Sequence, residues 1–176
     1  LITARNMYYA ATNLSDRLCA ARLVVHQGDE VHRAEVLEHF FDRWQSENLV
    51  VNQWFVMQAT RPSADCVSDV TALTYHAAFD WRNPNKVRSL ISAFAGANPT
   101  AFHALDGGGY RLLGDAVRRL QSDNPQIAAR MLAPMTRWRR YDHGQAIMRG
   151  ELESIEAIDG LSQDVYEVVN RSLSGS

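Results

Sequence analysis

The chain is poor in the residues and patterns on which several common protein classes depend. Of its 18 basic residues only one, Lys86, is a lysine. Its two cysteines, Cys19 and Cys66, form no CxxC pair and no disulfide framework, which predicts two buried thiols in a reducing, cytoplasmic setting. No apolar run approaches the ~20 residues of a membrane span. No basic segment followed by an apolar stretch marks a secretory signal. No segment of four or more residues alternates cleanly between apolar and polar, and there is no Asn-Gly hairpin signal, which argues against a sheet. The formal net charge is -2 and the sequence pI about 6.3, well below the basic values typical of nucleic-acid-binding domains.

What is present is helical periodicity. Val36, Leu37, Phe40, Phe41 and Trp44 share one helix face, and Val87, Leu90, Ile91 and Phe94 repeat the stripe. Leu112, Leu113, Ala116, Val117 and Leu120 repeat it again, as do Val165, Tyr166, Val169 and Leu173. Asn83-Pro84, Asn98-Pro99 and Asn124-Pro125 each set an N-cap side chain before a proline at the first helical position, where the missing N–H costs nothing. Ser162 offers a cap for the last helix, after the Asp159-Gly160 stop. The pattern predicts helices over 13–26, 30–45, 48–59, 64–77, 85–95, 99–104, 109–121, 125–133, 143–158 and 163–173, with 1–10 as the end of an earlier helix. Short polar turns between them predict an all-α, ARM/HEAT-like α-solenoid of antiparallel helix pairs. The 176 residues suit a single helical-repeat domain, 1–176, and Leu1 in place of Met predicts a start within a longer polypeptide. Residues 111–149 carry a balance of +5 and residues 150–176 one of -5, so the two segments either face each other or are separately solvated.

Four constellations could carry chemistry, and each has a plainer reading. His32, Glu35, Glu38 and His39 lie within eight residues on one predicted helix, but they match no ligand pattern such as H-E-x-x-H and read as a polar face. Asp106-Gly-Gly-Gly-Tyr110 lacks the strand and the Gly-Lys of a phosphate loop and reads as a tight turn with backbone close to another helix. Arg137-Trp-Arg-Arg-Tyr141 interleaves cations with aromatics as nucleic-acid binders do, yet Trp138 and Tyr141 fit a core stripe and the domain is acidic. Gln126 and Arg130 are i, i+4 on the helix opened by Asn124-Pro125, sharing a polar face away from Ile127, Met131 and Leu132; Arg88 sits comparably after Val87. No local signature frames a nucleophile, so no catalytic residue and no metal ligand is assigned.

Longer words are more specific. Leu-Val-Val-Asn-Gln-Trp-Phe-Val-Met-Gln-Ala-Thr at 49–60 resembles a segment of the bacterial aminopeptidase N family, the zinc metallo-aminopeptidases with an H-E-x-x-H catalytic helix. Asn-Pro-Asn-Lys-Val-Arg-Ser-Leu-Ile-Ser-Ala-Phe-Ala-Gly-Ala-Asn-Pro-Thr-Ala-Phe-His at 83–103 is similar to that family's most recognisable C-terminal stretch. Asp-Gly-Gly-Gly-Tyr at 106–110, Asn-Pro-Gln-Ile-Ala-Ala-Arg at 124–130 and Arg-Arg-Tyr-Asp at 139–142 follow in the same order, and the resemblance is loosest from His143 to Asp159. It implies the later part of a C-terminal, ARM/HEAT-like superhelix that caps a catalytic domain and encloses a substrate chamber. The zinc and its ligands would lie in an upstream catalytic domain of the same polypeptide, since neither H-E-x-x-H nor G-A-M-E-N occurs here. The resemblance further implies that Arg88, Gln126 and Arg130 line the chamber wall, with the glutamine near the substrate's N-terminal side chain and the arginines meeting peptide backbone or carboxylate. No nucleic acid, membrane or cofactor of this chain's own is expected. A stand-alone helical-repeat scaffold for a protein partner is the alternative reading.

Overall fold

The asparagine–proline pairs set where helices begin. In the computed structural model, which describes residues 2–175, each asparagine side chain accepts from the first free amides of its helix: Asn83 from Asn85 and Lys86, Asn98 from Ala101, and Asn124 from Ile127. The helices are α1 (Ile2–Ala10), α2 (Leu14–Gln27), α3 (Glu30–Trp44), α4 (Asn48–Ala59), α5 (Cys66–Leu73), α6 (Pro84–Val87), α7 (Ala93–Ala97), α8 (Pro99–Phe102), α9 (Gly108–Leu120), α10 (Pro125–Met131), α11 (Gln145–Glu156) and α12 (Gln163–Ser174). A π-helical turn, Arg88–Ser92, joins α6 to α7, and a 3-10 segment, Met135–Arg140, follows α10. No strand occurs among the described residues. No described helix is long and apolar enough to cross a membrane.

Helices pack on chain neighbours or on the next but one: α2 on α3 and α4, α9 on α10 and α11, α10 and α11 on α12. That is the stacking of an α-solenoid. The predicted stripes supply its core: Val36, Phe40, Leu90, Ile91, Phe94, Leu113, Val117, Val165 and Val169 are all fully buried. Of the two readings of the charged segments, facing each other or separately solvated, the first holds in part, because Arg118 on α9 pairs with Glu151 of α11 at 2.6 Å.

Asn98 joins two layers. It is 1% exposed; its Oδ1 caps α8, and its Nδ2 donates to the carbonyls of Ala59 (2.9 Å) and Arg61 (2.7 Å) just past the end of α4. One side chain therefore satisfies orphan groups at two helix termini. The glycine-rich turn behaves as its pattern predicts: Gly107 adopts φ 70°, and a Cβ on Gly109 would lie 2.5 Å from the Phe102 carbonyl oxygen.

Besides the π turn inside the helix predicted over 85–95, four details differ from the sequence pattern. The helix predicted over 64–77 spans only Cys66–Leu73, and residues 74–83 form turns held by Asp80 and by His76, whose Nδ1 accepts from the Ala78 amide. The 3-10 segment was not predicted. Ser162 precedes α12, but its hydroxyl caps nothing and is buried without a partner, while its amide donates to Gln121. Cys66 is buried as predicted, but Cys19 is exposed on α2.

Candidate functional site

Pro125 starts α10 and fixes its register. Ala128, Ala129 and Met131 then turn inward, and Gln126 and Arg130 come out one turn apart on the exposed face. Arg88 begins the π turn. Side chains add to the backbone bonds around it: Arg88 Nε donates to the Pro84 carbonyl at 3.2 Å, which also accepts the Arg88 amide, and Ser89 Oγ donates to that of Lys86 at 2.9 Å. Arg88 Nη2 also donates to Asn85 Oδ1 at 2.8 Å, which fixes the direction of the guanidinium.

The three residues converge on adjoining clefts. Arg88 and Ser92 share a cleft of about 230 Å³ with Ile127, Arg130 and Met131. Gln126 and Arg130 share one of about 380 Å³ with Asp164, Glu167, Val168 and Arg171 of α12. A third cleft, about 640 Å³, lies between Arg130, the 3-10 segment and α12, and Ala129, Ala133 and Val168 give it an apolar floor. Arg130 borders all three. Among the described residues no carboxylate lies within ion-pair distance of Arg88, Arg130, Arg139 or Arg171. These cations remain available to an incoming carboxylate or carbonyl, which a planar guanidinium can grip bidentately.

The other candidates are committed elsewhere. Glu35 accepts from both Arg5 and Tyr9, and the Arg5 hydrogen bonds hold its carboxyl down at about 2. His39 Nδ1 bonds the Tyr8 hydroxyl, and His32 bonds Asp29 at the N-cap of α3. Among the described residues no three His, Cys, Asp or Glu side chains are disposed to share a metal ion. Burial pushes the Cys66 thiol up to about 11, far from the thiolate form a nucleophile needs. In the Arg137–Tyr141 stretch, Trp138 is buried and Tyr141 stacks on His103, as a core stripe would. Arg139 lies over the Trp138 ring and donates to the carbonyls of Ser172 and Leu173, tying down the end of α12. Sequence reasoning missed Arg139 and Arg171 as neighbours of Arg130. Their only signal was that each is a cation near the end of its segment.

Stacked helix pairs with polar side chains collected along clefts define an ARM-repeat-type domain. Residues 2–174 match a domain family described as "Domain of unknown function (DUF3458_C) ARM repeats", and the chain belongs to that family. It is 38% identical over 174 residues to "Aminopeptidase N" of Escherichia coli K12, covering 98% of this chain and 20% of that protein. It is 38% identical over 167 residues to "Aminopeptidase N" of Haemophilus influenzae, covering 94% and 19%. With "Aminopeptidase N" of Caulobacter vibrioides the identity is 39% over 165 residues, covering 93% and 19%. The crystal structure of Legionella pneumophila aminopeptidase A in complex with aspartic acid superposes with a TM-score of 0.93 at 31% identity, covering 99% of this chain and 21% of that one. The chain thus spans about a fifth of the length of the curated relatives it matches.

Proposed function

We propose that this chain is the capping domain of a zinc-dependent aminopeptidase that removes N-terminal residues from peptides, and that it forms the substrate-side wall without being catalytic itself. The observation that carries this is the convergence of Arg88, Gln126 and Arg130 on adjoining clefts with Arg130 shared between them. They come from two segments far apart in sequence, and the two arginines have no ion-pair partner among the described residues. Homology to a domain of aminopeptidase N supports the enzyme class. The chemistry of zinc, polarising a carbonyl and activating water, belongs in this reading to a catalytic domain elsewhere in the polypeptide. The donor set here does not fit a metal, and no step is routed through one.

In this reading Gln126 faces the side chain of the substrate's first residue, where an amide that both donates and accepts tolerates varied chemistry. Arg130 and Arg88 hold backbone carbonyls or the carboxylate. The catalytic domain is the principal partner, and the protein works in the cytoplasm, to which free Cys19 and Cys66 are suited. The direct test is an assay of this chain alone with an aminoacyl chromogenic substrate and added zinc. No turnover is expected, and appreciable turnover would overturn the non-catalytic role.

A further inference from the structure

The largest cleft, on the α12 side of Arg130, is not needed for the role just assigned to Arg88 and Gln126. Its rim carries three guanidinium groups, Arg130, Arg139 and Arg171, with Thr136 and Ser172 beside them. Its floor is Ala129, Ala133 and Val168. Arg139 spends two donors on the carbonyls of Ser172 and Leu173 at 2.6 and 2.9 Å, which fixes its plane but leaves further N–H groups. Arg171 has one near carboxylate on its own helix, Glu167 one turn earlier. Glu167 instead accepts from Gln163 at 2.9 Å, and Asp164 lines only the neighbouring cleft.

We infer that this cleft is a second subsite, one that anchors the free C-terminal carboxylate of a short peptide carrying an aliphatic last residue. Charge complementarity selects the carboxylate: three cations without an ion-pair partner among the described residues border one cleft. The apolar floor selects what bears it. A compact inorganic anion would satisfy the arginines and leave Ala129, Ala133 and Val168 unused, whereas an alanine or valine at the peptide's end covers them. Arg130 then stands between the two subsites, with the peptide's amino-terminal part toward Gln126 and its carboxyl end toward Arg171. This rests on the substrate-wall reading and extends it to peptides of a few residues with unblocked C-termini.

The test is calorimetric titration of this chain with tri-alanine and with tri-alanine C-terminal amide, beside acetate and inorganic phosphate. The free acid should bind about tenfold or more tightly than the amide, as expected for losing a charged hydrogen-bond pair. Arg171→Ala should abolish that preference and Arg171→Lys should retain part of it, with circular dichroism unchanged for both. Equal affinity for acid and amide, binding of the small anions as tightly as the peptide, or no binding at all would each overturn the proposal. In the full-length protein, Arg171→Ala should lower kcat/KM for tri-alanine several-fold more than for tri-alanine C-terminal amide, which lacks the carboxylate. Equal loss on both substrates, or loss on neither, would refute the subsite. The substrate-wall reading would fall separately, if changes at Gln126 and Arg130 had no kinetic effect.

Discussion

Replacing Asn98 separates helix capping from layer-to-layer bonding, because its two side-chain atoms do different jobs. Oδ1 caps α8 through the Ala101 amide, and Nδ2 bridges to the Ala59 and Arg61 carbonyls. Asn98→Ala removes three hydrogen bonds at a site 1% exposed. At ~1 kcal/mol each the loss is about 3 kcal/mol. It is not larger, because both carbonyls keep another donor: Cys66 Sγ on Ala59 and the Ser63 amide on Arg61. For a chain of this size that is a fall in Tm of about 6–12 °C. Asn98→Asp is the sharper variant. Aspartate is as good an N-cap as asparagine, so the α8 bond survives, but an oxygen now faces two carbonyl oxygens across 2.9 and 2.7 Å. At neutral pH it should cost at least as much as alanine, and the loss should shrink on acidification as the carboxyl regains a proton to donate. Thermal and urea melts followed by circular dichroism read both. If Asn98→Asp lies within about 0.5 kcal/mol of wild type, or Asn98→Ala costs only the ~1 kcal/mol of a lost cap, the bridging role is refuted.

Further predictions concern the core and pH. Phe94 is fully buried against Phe102, so Phe94→Ala should cost ~3–5 kcal/mol in urea melts; a silent substitution would contradict the packing around the π turn. Burial lowers the proton affinity of His26, His76 and His103, so the fold prefers them neutral. Each then contributes stability that is fully present above the unfolded value of about 6.5 and is lost as pH falls through the lower folded values. The urea midpoint should decline between pH 7 and 5, before most carboxylates titrate, and a midpoint that is flat or rises over that range would contradict these environments.

The helices were legible wherever a stripe and a start signal coincided, as at Asn124-Pro125 with Ile127, Ala128 and Met131. The π turn was not, because Val87, Leu90, Ile91 and Phe94 fit an α-helical stripe equally well, and the extra residue is accommodated by packing of this segment on α4. Residues 135–141 showed an aromatic pair and a run of cations but no regular period, and the 3-10 path of 135–140 depends on Trp138 Nε1 and Arg139 reaching the end of α12. Ser162 precedes α12 as its position predicts, yet its hydroxyl is buried without a partner and only its own amide is used, donating to Gln121, distant in sequence. At the site, the shared face of Gln126 and Arg130 follows from spacing alone. The meeting of Arg88 and of Arg171 with Arg130 requires the superhelix, since no local pattern relates the π turn, α10 and α12.

The central claim is that Gln126 and Arg130 serve substrate rather than fold. The most direct measurement is kcat/KM for a short peptide in the full-length protein carrying Gln126→Ala or Arg130→Ala, with Tm recorded on the same samples. Both side chains are exposed and bond no described neighbour, so Tm should stay within about 2 °C of wild type, while kcat/KM falls about tenfold for Arg130→Ala, the equivalent of ~1.4 kcal/mol of transition-state binding. Unchanged kcat/KM together with a large drop in Tm would make both residues structural and contradict the account.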